Sequence, residues 1–163
     1  MRLESLRSLL IEQLKDLYSA EDQIIHAFPE MIGKITDVQL KSALREHLDV
    51  TRTQVSRLDR IFDDLSMERK REKCKGMEGL IKESKDILKT DADARDAGII
   101  AVAQRVEHYE IARYGCARTY ANLLGRSDWA ELLEQTLNEE KEADLKLNRL
   151  AEHINVEAEP ALA

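Results

Sequence analysis

Four long stretches of the chain repeat apolar residues at steps of three and four, the period of a helix that buries one face. In the first, Leu3, Leu6, Leu10, Leu14, Leu17, Glu21, Ile24 and Phe28 share a stripe. Pro29 is expected to end or kink this helix, and Glu30 to Ile35 can add a further turn or two. The second stretch opens at Thr36 or Asp37, either of which can accept from the free N–H groups of a first turn. Its stripe is Leu40, Ala43/Leu44, His47/Leu48, Thr51, Val55, Leu58, Phe62 and Leu65, and it ends near Ser66. The third follows a Thr90-Asp91 cap, carries Ala103, Val106, Glu110, Tyr114, Ala117, Ala121 and Leu124, and stops at Gly125. The fourth begins at Ser127 or Asp128, with Trp129 in its first turn. Its stripe is Leu133, Thr136/Leu137, Glu140, Ala143/Asp144, Leu147, Leu150/Ala151 and Ile154, and residues 157–163 are expected to fray.

The links within the first and last pairs of helices are short, so each pair should form an antiparallel hairpin. The middle connection, residues 67–91, is long, and Met77, Leu80, Ile81, Ile87 and Leu88 give it a short helix of its own. Such a connection suits a bundle whose two hairpins are joined by one crossover. The pattern therefore predicts an all-α fold: a ferritin-like four-helix bundle, with an extra helix in the crossover and one domain over residues 1–156.

The stripes are apolar except near their middles. There the first carries Glu21, the second His47 and Thr51, the third Glu107 and Glu110, and the fourth Glu140 and Asp144. Glu107 and Glu110 lie one turn apart on one helix face. If the helix middles are in register, these groups converge at one level. Carboxylates gathered in a medium of low dielectric repel one another and lose hydration, so something must compensate them. Protons can do this by raising pKa values. So can a pair of divalent metals bridged by carboxylates; with an imidazole in the set, iron, manganese or zinc is suited. Glu21, His47, Glu107, Glu110, Glu140 and Asp144 are the candidate ligands.

Taken singly, each has a plainer reading. Glu21 can sit at the edge of its stripe, His47 can be a hydrogen-bonded core histidine, Glu107 can face solvent beside Arg105, and Asp144 can pair with Lys141 or Lys146. Glu110 and Glu140 resist such readings, because apolar neighbours flank both at helical spacing. Tyr18 and Tyr114 lie a turn from Glu21 and Glu110, where their hydroxyls can reach inward carboxylates or pack with other partners.

Charge and composition narrow the function further. The net charge of −7 argues against nucleic-acid binding, with Arg69–Lys75 the one basic stretch, read as a solvated loop face. No apolar run approaches the roughly 20 residues that cross a bilayer, so a cytoplasmic location without membrane contact is expected. Cys116, among small helix residues, is expected to be buried, and Cys74, in the basic run, exposed, both as free thiols. Nothing resembles a nucleophilic triad or a nucleotide-binding glycine loop.

The runs Leu14–Ile24 (LKDLYSAEDQI), Glu46–Leu58 (EHLDVTRTQVSRL), Cys74–Lys82 (CKGMEGLIK) and Val106–Gly115 (VEHYEIARYG) resemble the YciF-like bacterial stress proteins, over about residues 3–154. The resemblance implies a ferritin-like bundle related to rubrerythrins, a homodimer and a role in bacterial stress responses. The wider ferritin-like pattern pairs a Glu on one helix with Glu-x-x-His on the next, twice. Here Glu21, Glu107 and Glu140 match single positions. Glu46 is followed at plus three by Asp49, and Glu140 by Ala143, while His108 points about 100° away from Glu107. A site so poor in histidine puts oxygen or peroxide chemistry in question and leaves two functional readings. One is a metal-binding, redox-active bundle with an unidentified electron partner. The other is a non-enzymatic stress protein whose acidic layer is vestigial and metal-free.

Overall fold

The structure is a computed structural model that describes residues 5–69 and 73–159, and of Asp93 the backbone alone. Leu3, part of the basic stretch and the end of the tail lie outside the described residues. Five helices follow one another: α1 (Leu6–Lys34), α2 (Val38–Asp64), α3 (Lys75–Ile87), α4 (Ala92–Leu123) and α5 (Ser127–Glu157).

Local chemistry sets the helix ends. Ser5 and Ser8 form a capping box at the start of α1, and the Asp37 carboxylate accepts from Leu40 N at 2.7 Å at the start of α2. Gly125, at φ +72°, ends α4: its N–H bonds Asn122 O at 3.0 Å and Arg126 N bonds Ala121 O at 2.9 Å, a Schellman arrangement. Pro29 does not end α1, which runs on to Lys34. An interior proline costs about 3 kcal/mol, and burial of Met31, Ile32 and Ile35 just beyond it offsets that loss.

Two apolar clusters fill the bundle. One gathers Leu10, Leu14 and Leu17 of α1 with Leu58 and Phe62 of α2, Ala117 and Ala121 of α4, and Trp129 and Leu133 of α5. The other gathers Ile24 and Phe28, Leu40 and Leu44, Ile99 and Val102, and Leu147 and Ile154. The first cluster thus joins the start of α1 to the end of α2, the end of α4 and the start of α5. The four long helices therefore run up, down, down and up, with α1 beside α2 and α4, and α5 beside α2 and α4. The connection after α2 must climb the length of the bundle to reach α4, as the crossover pattern predicted.

Helix α3 makes that climb on the outside, against α4 and α1. Its close approach depends on Gly76, where a Cβ would stand 2.7 Å from a ring carbon of Tyr109. The α1–α2 link is tied to α4 by the buried Asp96, whose carboxylate accepts from Thr36 N at 3.1 Å and Asp37 N at 2.7 Å. None of the described helices is long and apolar enough to cross a membrane.

Candidate metal centre

Between the two apolar clusters lies a layer of buried polar groups supplied by all four long helices. Glu21 of α1, Glu107 and Glu110 of α4 and Glu140 of α5 are each 0% exposed, and His47 of α2 is 6% exposed. One ligand atom each of His47, Glu107, Glu110 and Glu140 falls within 4.8 Å of the others. His47 Nε2 stands 3.4 Å from Glu107 Oε1 and 3.9 Å from Glu140 Oε2, with hydrogen-bond geometry to neither. The four helix middles are therefore in register, and five of the six candidate ligands converge.

The orphaned atoms are the telling feature. Glu21 Oε2, both oxygens of Glu107, both of Glu110, Glu140 Oε2 and His47 Nε2 are buried without a hydrogen-bond partner. Among the described residues, no lysine or arginine forms an ion pair with any of these four glutamates. Native interiors leave few polar atoms unsatisfied, so such a concentration needs an explanation. Loss of hydration pushes the carboxyls of Glu21, Glu107 and Glu110 well above the usual range. The charge of Glu140 adds to the rise at Glu21 and Glu107, and that of Glu21 adds most at Glu110 after burial.

Three neutral groups complete the layer. The buried Tyr114 hydroxyl donates to Glu21 Oε1, one of the two roles its spacing allowed, and burial together with the charge of Glu21 pushes its own pKa well up. Tyr18 packs edge-on against Phe62, with ring centroids 5.8 Å apart. The Gln54 amide donates to Glu140 Oε1 and, at 3.2 Å, to Glu139 Oε2, while Thr51 Oγ1 donates to the His47 carbonyl at 3.0 Å. Gln54 is a residue the sequence reading missed. It is wholly buried in the position assigned to Val55, which is half-buried. Its spacing of seven from His47 was the available signal. Arg57 grips Glu139 through two bonds of 2.6 Å, so Glu139 is neutralised while its neighbour Glu140 is not.

Asp144 does not join the layer. It sits at the α4–α5 edge, 3.3 Å from His108 Nε2, and accepts from Gln104 at 3.3 Å. It follows Glu140 by four residues, so it is turned roughly 40° from Glu140 on an ideal helix, which carries it out of the core. His108 is exposed, as its position beside Glu107 predicted.

The cysteines are also the reverse of expectation, although both are free. Cys116 is exposed because it lies roughly 120° around α4 from Glu110. Cys74 is buried because it caps α3 on the bundle: its sulfur accepts from Met77 N at 3.4 Å and contacts the Tyr109 hydroxyl at 3.0 Å.

The donor set fits a divalent metal. Carboxylate oxygens with one imidazole suit iron, manganese or zinc, and the unsatisfied atoms face one another rather than solvent. A lateral opening reaches the layer. A cleft of about 190 Å³ between α2 and α5 is lined by His47 and Glu107 at its inner end and by Glu46, Glu139, Glu142 and Lys146 among others.

Comparison with known proteins agrees with this architecture. Residues 5–159 match a family described as a domain of unknown function, DUF892. Protein YciF of Escherichia coli K12 is 40% identical over 163 residues, 98% of each chain. The crystal structure of the E. coli stress protein YciF superposes with a TM-score of 0.89 at 38% identity, covering 94% of this chain and 98% of that one. YcfI from Rhodopseudomonas palustris superposes at 0.86 with 42% identity, covering 90% and 94%. A Xanthomonas campestris protein, at 23% identity and a TM-score of 0.76 over 94% of each chain, shares the fold. The chain belongs to the DUF892 family, the YciF-like proteins.

Proposed function

We propose that this protein is a stress-response protein whose bundle core binds a pair of divalent cations, with iron, manganese or zinc as the chemically suited metals. The observation that carries the reading is the set of six buried carboxylate oxygens and one imidazole nitrogen without partners. His47, Glu107, Glu110 and Glu140 would hold one cation, and Glu21 with Glu110 would complete the seat of the second. Such a pair supplies positive charge to the acidic layer and, with iron or manganese, a centre open to oxygen or peroxide chemistry. The protein's own groups set the conditions around it. Tyr114 holds Glu21 from one side, Gln54 holds Glu140 from the other, and the apolar clusters above and below keep water out. The role in stress rests on the name given to the E. coli relative, and a cytoplasmic homodimer belongs to the same reading.

A second reading has its own support. The raised carboxyls of Glu21, Glu107 and Glu110 support neutralisation of the layer by protons in place of cations. In that case the layer is vestigial and the protein acts through its surfaces.

Metal analysis separates the two. Protein purified without chelator and reconstituted with Fe(II), Mn(II) or Zn(II) is expected to retain between one and two equivalents after desalting. Retention of less than about a tenth of an equivalent of all three would reject the metal reading. The double variant Glu110→Ala/Glu140→Ala gives an independent check: it lowers the melting temperature of metal-loaded protein on the first reading and raises it, by relieving repulsion, on the second.

A further inference from the structure

A cation that reaches this layer must cross the protein, since its glutamates are wholly buried. Along the bundle axis both directions are closed. One side is filled by Leu14, Leu17, Leu58 and Phe62, the other by Ile24, Phe28, Leu44 and Leu147. Moving a hydrated divalent ion through either cluster means stripping it among hydrocarbon, which costs far more than a lateral path past carboxylates. The other large clefts lie against α3, beside Asp16 and Arg113, and near the two ends of the bundle, and no residue of the centre lines them.

The α2–α5 cleft is different. It is lined at its buried end by two residues with unpartnered groups, His47 and Glu107. Its lining combines carboxylates, Glu46, Glu139 and Glu142, with the half-buried apolar side chains of Ala143 and Val50. Ala143 occupies the position three after Glu140, and its small side chain leaves the space open. Lys146 is the one cation on the rim, and it is held in an ion pair with Glu46 across the mouth, from α5 to α2. Arg57 is bound to Glu139, one of the lining carboxylates. The charges facing the path are therefore three glutamates against Lys146, with Arg57 behind one of them.

We infer that the α2–α5 cleft is the entry route of divalent cations to the buried layer, and that the Lys146–Glu46 pair gates its mouth. This rests on the metal reading above and adds to it a path and a gate. Lys146 opposes an arriving cation by charge and, with Glu46, bridges the two helices across the opening. Both ends of the pair are exposed, so the bridge opens at little cost. Beyond it the cation meets Glu142 and Glu139 before Glu107 and His47.

The test is the rate of Co(II) uptake by the full-length protein, followed by stopped-flow absorbance of the bound ion, alongside the stoichiometry at equilibrium. Ala143→Phe puts a large side chain into the cleft lining and is expected to slow uptake on the order of tenfold or more with the final stoichiometry unchanged. Lys146→Glu reverses the charge at the mouth and is expected to speed uptake by about three- to tenfold at low salt, with the gain lost at high salt. Circular dichroism establishes that each variant is folded. If Ala143→Phe does not fold, the surface variant Lys146→Glu decides alone. An unchanged rate in a folded variant overturns the route while leaving the metal reading intact. Failure of the parent protein to take up Co(II), together with failure to retain Fe(II), Mn(II) and Zn(II), removes both.

Discussion

Two polar clusters share helices α1 and α4, and they are built on opposite terms. The outer one links Asp16, Tyr109, Cys74, Arg113 and Gln13. The Tyr109 hydroxyl donates to Asp16 at 2.8 Å, Arg113 pairs with Asp16 at 3.0 Å and donates to Gln13 at 3.0 Å, and the guanidinium lies 5.1 Å from the Tyr109 ring centre. Its carboxylate has a cation, and the groups around it are bonded. The inner cluster, about one turn away along α1 at Glu21, contains four buried glutamates and, among the described residues, no basic partner beyond one histidine. A chain able to satisfy Asp16 with an arginine had the means to do the same for Glu21. On the proposed reading, the difference means that the inner layer's missing charge comes from outside the chain, as cations or as protons.

The largest effect expected from that difference is the response to metal. Adding Mn(II) or Zn(II) to chelator-treated protein near neutral pH should raise its melting temperature. At a thousandfold excess over the dissociation constant the gain is about 4 kcal/mol. In a chain of this size that corresponds to roughly 10 °C. Metal should leave the outer cluster's contribution untouched, so Arg113→Ala protein should show the same increment by differential scanning calorimetry.

Next in size is Arg57→Ala. It strips Glu139 of its partner in a part-buried site and removes the bond to Thr136 Oγ1, and is expected to cost about 1–3 kcal/mol in urea unfolding whether or not metal is present. Equality of the two losses would show that Arg57 serves the fold. A larger loss in the loaded form would make Arg57 part of the centre's support.

A smaller effect is the dependence of metal-free stability on pH. Burial raises the carboxyls of Glu21, Glu107 and Glu110 above the ordinary value, so above roughly pH 4.3 the folded chain holds protons that the unfolded chain has released. Their contribution therefore falls as pH rises from there through the raised folded values. Chelated protein should melt at a lower temperature at about pH 8 than at about pH 5.5, and Glu107→Gln/Glu110→Gln should flatten that slope. In metal-loaded protein the slope should weaken or reverse, because protons compete with cations for the same oxygens.

Thiol reactivity is the smallest effect. Cys116 is exposed, whereas Cys74 is buried and its thiol is pushed up by loss of hydration. A disulfide reagent should therefore modify Cys116 first and Cys74 only on unfolding. Early reaction of Cys74 would show that α3 detaches from the outer cluster.

Much of this was legible in the chain. Helical period fixed the long elements, and the polar breaks at Glu21, His47, Glu107, Glu110 and Glu140 sat where four apolar stripes should have continued. What the period could not resolve was angle and docking. Asp144 and Ala143 share the next turn after Glu140, and the pattern alone did not say which faced inward. Gln54 was hidden because Val55 beside it is the more apolar choice. Cys74 was misplaced because its burial depends on α3 folding back over Ser19 and Tyr109, a tertiary event. Asp96 reads as an ordinary helix-surface acid until the α1–α2 link is brought against it.

On the proposed reading, cations neutralise the glutamates where the four helices meet. A crystal of metal-reconstituted protein, with anomalous data collected at the edge of the added metal, tests it most directly. An anomalous peak is expected among Glu107, Glu110, Glu140 and His47, with a second on the Glu21 side. A fully ordered layer with no anomalous peak, and with carboxyl groups paired to one another at hydrogen-bond distance, would contradict it and leave protons as the neutralising charge.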